Sequence, residues 1–160
     1  MAAESISDAN LADYIAAETQ LYGVSPSRLM FEITETAAIS NIKQASAFAT
    51  NVRERGCGLA LDDFGAGFAS FLYLKQLPFD YLKIDGSFIQ ELSADYPNQV
   101  MVQSMVQAAR GLGKRTIAEW VDDEDTLTQL TAYGVDFAQG YHIARPVPAI
   151  ELIDAPRASA

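Results

Sequence analysis

Eight polar side chains stand at corresponding places in this sequence, each at or just past the end of a short apolar run. Glu32 lies near the end of Leu29–Ile33 and is followed by Glu35; Asp62-Asp63 close Leu59-Ala60-Leu61; Lys83 and Asp85 flank Ile84; Glu119 closes Thr116-Ile117-Ala118; Gln139 follows Val135–Ala138. If these runs are parallel strands, their carboxyl ends share one rim, and the residues become neighbours. Glu32, Asp62, Asp63 and Glu119, crowded with no cation between them, would repel one another and be driven toward protonated forms, a cost of roughly kilocalories each. A divalent metal ion removes that cost. Oxygen-only ligands favour Mg²⁺, Mn²⁺ or Ca²⁺ over zinc, and His142 is the only histidine. Two adjacent aspartates can serve a pair of metals about 3.5 to 4 Å apart, the arrangement that activates water against phosphodiesters. The chemistry such a pattern would suit is metal-assisted phosphoester hydrolysis.

The elements that must position these residues alternate along the chain. An amphipathic helix is expected over residues 8–22, with Asp8 as N-cap and Gly23 as its end. A strand over 29–33, a helix over 41–55, a strand over 59–62, a short helix over 71–77 and a strand over 81–84 follow. Helix 98–112, strand 116–119, helix 124–133 and strand 135–138 complete the series. Near-continuous apolar strands separated by amphipathic helices predict an α/β fold with five parallel strands, either an open doubly wound sheet or a (β/α) barrel. The turn Gly65-Ala66-Gly67 lacks the third glycine of a dinucleotide fingerprint and the lysine of a P-loop. Its glycines permit a close turn that can fold over a ligand. The Met101-Val102 and Met105-Val106 stripe reads as helix core, and Cys57 as a half-buried thiol ahead of a strand.

Composition excludes several classes. With 21 acidic and 11 basic residues the net charge is −10, which repels polymeric DNA or RNA. No apolar stretch approaches the roughly 20 residues of a membrane span, and the N-terminus lacks a basic signal region, so the chain reads as soluble and cytoplasmic. A single cysteine excludes an intrachain disulfide and any multi-cysteine zinc site.

Five segments carry a family resemblance: FEITET (31–36), LDDFGAGFAS (61–70), LPFDYLKIDGSFI (77–89), IAEWVD (117–122) and GVDFAQGYHIARP (134–146). In order and spacing they resemble the EAL-domain family, whose active members hydrolyse the bacterial second messenger cyclic di-GMP to linear pGpG. The resemblance runs from about residue 5 to 150 and assigns residues 5–152 to the domain and 153–160 to a loose tail. It implies a partial TIM-type barrel, about the last five of eight strands, with a two-metal Mg²⁺ or Mn²⁺ site. Glu32, Asp62 and Asp63 would be metal ligands, with Asp62 between the metals. Lys83 and Glu119 would position or deprotonate the attacking water, and Gln139 would support metal-bound water or substrate. Asp85 and Asp122 would support these groups from behind, and Glu35 would anchor the loop from Phe64 to Ser70.

The sequence also departs from the family. The Glu-Ala-Leu motif and the Asn of the next strand are absent, removing two metal ligands, so the resemblance implies an impaired phosphodiesterase. The alternative is a non-catalytic remnant that binds cyclic di-GMP or a protein. An incomplete barrel exposes edges, so a homodimer or a partner that completes it is expected. Trp120 stands where the family usually has glycine, and would either fill vacated space or block the substrate. His142 reads as a packing residue.

Overall fold

The computed structural model describes residues 1, 3–8, 10–67 and 71–148 of the chain; the expected tail and residues 68–70 lie outside them. Five parallel strands pair in sequence order, β1 (Met30–Thr34), β2 (Gly58–Phe64), β3 (Tyr81–Ile84), β4 (Arg115–Ala118) and β5 (Phe137–Ala138). A doubly wound sheet reverses its strand order at a switch point; this one never does, so the five strands form an arc of a barrel. The expected α/β class holds. The strands are joined by α3 (Glu35–Ser40), α4 (Ile42–Glu54), α5 (Phe71–Leu74), α6 (Tyr96–Gly111) and α7 (Glu124–Tyr133), preceded by α1 (Ala3–Ile6) and α2 (Leu11–Leu21). Among the described residues no helix is long and apolar enough to cross a membrane.

The sheet's two faces have different fates. Ile33, Leu59, Leu61, Leu82, Ile84 and Ala118 are fully buried under the helices. In α4, Ala45, Phe48, Ala49 and Val52 recur at the helical period and supply the matching face, with Phe31 meeting Phe48 edge to face. Each large side chain buried this way contributes about 1.5–3 kcal/mol. Helix starts are fixed by side-chain caps: Asn41 accepts from Gln44 N in α4, Asp95 from Asn98 N in α6, and Asp123 from Thr126 N in α7. The opposite, inner face carries Met30, Glu32, Asp62, Tyr81, Lys83, Arg115, Glu119 and Phe137, by strand alternation. Its lower end is a ring cluster, with the Arg115 guanidinium 4.4 Å from the Tyr81 ring and 5.5 Å from that of Phe137.

Several local expectations are corrected. The first long helix begins at Leu11 after Asn10, and Asp8 instead accepts a hydrogen bond from Asn10 N. α3 is an extra turn and a half of helix, started by the Thr34 hydroxyl accepting from Ala37 N. Met101 is exposed although Val102, Met105 and Val106 are buried, because the stripe is wider than the buried face of α6.

Candidate metal-binding rim

Asp62 and Asp63 owe their placement to a break in the sheet. β2 pairs with β3 at Leu61↔Leu82 and resumes at Phe64↔Ile84, so two aspartates stand opposite the single Lys83. Strict alternation would send neighbouring side chains to opposite faces; the extra residue of a bulge re-aims one of them. Asp63 takes the left-handed conformation the bulge requires, φ 54°, which aspartate tolerates better than most residues. Carboxylate oxygens of Asp62, Asp63 and Glu119 consequently lie within 4.8 Å of one another.

The expectation that no cation separates the carboxylates is wrong. Lys83 is buried at the centre of the rim, its Nζ 2.6 Å from Asp62 Oδ1, 2.9 Å from Glu119 Oε1 and 3.0 Å from Glu32 Oε2. Burial pushes the Lys83 ammonium toward deprotonation, but the hydrogen bonds it donates to Asp62, Glu119 and Glu32 more than reverse this, and its pKa ends well above the usual lysine value. Lys83 is therefore a permanent cation. Glu119 moves the other way from an ordinary paired acid: burial raises its pKa, Lys83 opposes the rise, and Asp62 and Asp63 add to it. Partial desolvation, followed by the charges of Asp62 and Asp85, also raises Asp63.

The remaining residues take distinct places. Asp85 makes no pair with Lys83; it starts the turn Gly86–Phe88 by accepting from Ser87 N at 2.9 Å. Glu35 is buried and its Oε2 accepts from Gly65 N at 2.9 Å, which ties the start of α3 to the loop after β2. His142 Nε2 lies 2.9 Å from Glu124 Oε2, a hydrogen-bond partner where packing alone was expected. Gln139 and Asp122 line a cleft of about 390 Å³ with Gln90, Glu119, Trp120, Gly140 and Tyr141. Trp120 is 60% exposed, so it does not fill interior space. Sequence reading missed Gly86, Gly140 and Tyr141; the signal for Gly86 was its place just past Asp85 on the same rim.

The cleft wall depends on one close backbone approach. Val121 N donates to Gln139 O and His142 N to Val121 O, and a Cβ at Gly140 would lie 2.2 Å from Val121 O and 2.3 Å from Val121 N. Backbone cannot step aside as a flexible side chain can. Gly140→Ala is expected to lower stability by about 2 kcal/mol and to disturb Gln139, as read by a denaturant melt. An unchanged melting profile would show that the two loops separate freely.

The chain matches the EAL domain over residues 1–146. It belongs to the EAL-domain family. Over 148 residues it is 38% identical to cyclic di-GMP phosphodiesterase PdeB of Shewanella oneidensis, covering 92% of this chain and 17% of that protein. It is 37% identical to cyclic di-GMP phosphodiesterase RocR of Pseudomonas aeruginosa, covering 90% of this chain and 37% of that protein. Among solved structures, the MucR phosphodiesterase of Pseudomonas aeruginosa in complex with c-di-GMP superposes with a TM-score of 0.89 at 34% identity, covering 95% of this chain and 62% of that one. The EAL domain of Mycobacterium smegmatis DcpA gives 0.89 at 28% identity, covering 95% and 68%. The chain thus spans well under half the length of these curated relatives.

Proposed function

We propose that this chain carries the metal-binding rim of a phosphodiesterase that opens cyclic di-GMP to linear pGpG. The observation that carries the reading is the convergence of Asp62, Asp63 and Glu119 oxygens beside the Lys83 cluster, in a chain of the EAL-domain family. The donors are carboxylates only, one of them made available by a bulge, which fits Mg²⁺ or Mn²⁺ better than a softer ion. Asp62 and Asp63 would hold the metals, with Glu32 the third ligand once it exchanges Lys83 for an ion. When bound, the metals supply Lewis-acid activation of water and charge neutralisation at the phosphate.

The protein's own groups divide the remaining work. Lys83, whose pKa is raised by the hydrogen bonds it donates, acts as a cation; it orients Asp62 and Glu119 and offers its charge to a phosphate oxygen. Glu119, whose pKa is raised by burial, is the better proton acceptor for the attacking water. The water oxygen forms the new bond to phosphorus as Glu119 takes its proton, the bond to one ribose 3′ oxygen breaks, and that oxygen takes up the proton Glu119 gives back through solvent. Gln139, at the cleft next to Glu119, holds the nucleotide or the water in line. A second messenger acts inside the cell, so this reading places the protein in the cytoplasm. The lower end of the inner face, where Met30 and Phe137 lie open, is the surface on which a second copy or a barrel-completing partner would seat.

Incubation of the purified chain with cyclic di-GMP and Mn²⁺ tests the reading. Slow release of pGpG is expected, and it disappears in Asp62→Ala. A rate no higher than that of the variant overturns the enzymatic reading. The exposed Trp120 beside Glu119 favours a second reading, a binding module without turnover, which a calorimetric titration that saturates without pGpG would select.

A further inference from the structure

Trp120 is the chain's only tryptophan, and its placement is unusual in three respects. Its backbone sits at φ 56°, a left-handed conformation that a bulky side chain adopts only under constraint. Its ring lies against bare backbone: a Cβ at Gly86 would stand 2.4 Å from Cγ, 2.7 Å from Cδ1 and 2.8 Å from Cδ2 of the indole. The residue nonetheless remains 60% exposed, so the indole is seated against Gly86 while most of its surface stays open. The indole borders the cleft shared by Glu119, Gln139, Asp122, Gln90 and Tyr141. Tyr141 is 61% exposed, with the Arg145 guanidinium 4.9 Å from its ring. A strained, rigidly seated aromatic with an open face, next in sequence to a rim carboxylate, is poorly explained as packing.

We propose that Trp120 is a specificity-determining stacking platform for the purine base of a nucleotide whose phosphate lies at the Asp62–Glu119 rim. The proposal rests on the phosphodiester reading for the position of the phosphate, and on the Trp120–Gly86 geometry for the base. Seating on Gly86 fixes the ring before the ligand arrives, so little side-chain freedom is lost on binding. Every base has a flat face that stacks on an indole, and the larger purine gains more contact than a pyrimidine. The base edge then meets Asp122 and Gln90, whose oxygens accept from ring N–H and exocyclic amino donors such as those of guanine. The alternative occupants, a sugar ring or a bare phosphate, would leave the indole and these acceptors unused or only partly used.

Because Trp120 is the sole tryptophan, its fluorescence reports on this position alone. The full chain, with Mn²⁺ present, is titrated with cyclic di-GMP, GMP and ribose 5-phosphate. Saturable quenching by both guanine nucleotides and none by ribose 5-phosphate is expected. Calorimetry should show roughly ten- to hundredfold weaker cyclic di-GMP binding in Trp120→Gly, with most of the affinity retained in Trp120→Phe. Glycine accepts the left-handed backbone without strain, so the first variant folds and its lost affinity reports the lost ring. Gly86→Ala, which unseats the indole, should weaken quenching in the intact fluorophore. No quenching by either nucleotide, quenching by ribose 5-phosphate alone, or unchanged affinity in Trp120→Gly overturns the proposal. Quenching without pGpG release leaves it standing and overturns the enzymatic reading instead.

Discussion

Lys83→Met is expected to destabilise the fold by about 3–5 kcal/mol at neutral pH in metal-free buffer. Methionine reproduces the length and apolar stem of the buried lysine, so packing changes little and the loss isolates the charge. What remains is a set of three carboxylates, Glu32, Asp62 and Glu119, that now face one another without the ammonium each is bonded to. Their joint repulsion makes the variant's deficit greatest at neutral pH, and the deficit shrinks as the medium is acidified to about pH 5. In the wild type, Lys83 has a folded-state pKa above the unfolded one. Its contribution is fully present below the ordinary lysine value and is lost only at strongly alkaline pH. Urea melts across the acidic and neutral range measure both effects. A Lys83→Met deficit below about 1 kcal/mol, or one that does not change with pH, would mean the rim relaxes into solvent and the ion cluster is not a structural element.

The contrast between what the sequence disclosed and what it hid turns on this lysine and its neighbours. The strands were legible because a parallel sheet covered on its outer face uses near-continuous apolar runs; Tyr81–Ile84 coincides with β3 for that reason. The rim carboxylates were legible because the carboxyl ends of parallel strands converge. Hidden were the features that depend on register. Asp62 and Asp63, read by alternation, belong on opposite faces, and only the shift between Leu61↔Leu82 and Phe64↔Ile84 brings both to one lip. Lys83 read as one more rim residue because its burial and its three partners arise from strands far apart in sequence. α3 was missed because six residues carry too little periodicity, although Thr34 three residues before Ala37 was a usable cap signal. β5 is only Phe137–Ala138, shorter than the run Val135–Ala138 suggests, because Asp136 turns away to accept from Thr116 N and Oγ1.

On the proposed reading the bulge also sets up a competition between protons and metal, and this gives the second large effect. Glu119 and Asp63 both have folded-state pKa values above their ordinary ones, chiefly through burial. For such groups the folded form binds more protons than the unfolded form. The stability they confer is present below the unfolded carboxylate pKa and is lost as pH rises through the raised folded values. The metal-free protein should therefore lose stability from the acidic toward the neutral range at this rim. A divalent ion replaces those protons, so its stabilising effect must grow over the same interval. At a Mn²⁺ concentration about a hundred times its dissociation constant the gain is roughly 2.7 kcal/mol, seen as a rise in Tm at pH 8 and a much smaller one at pH 5. Asp63→Asn should remove most of the rise at pH 8 while raising the metal-free stability there, because one repelling charge is gone and asparagine accepts the left-handed backbone. An equal Tm shift at both pH values, or one retained in Asp63→Asn, would place the ion elsewhere than the Asp62–Asp63 pair. Both outcomes together would mark a rim whose charges Lys83 only partly balances and which the proposed metal completes, a site kept at a cost in stability as catalytic carboxylate clusters are.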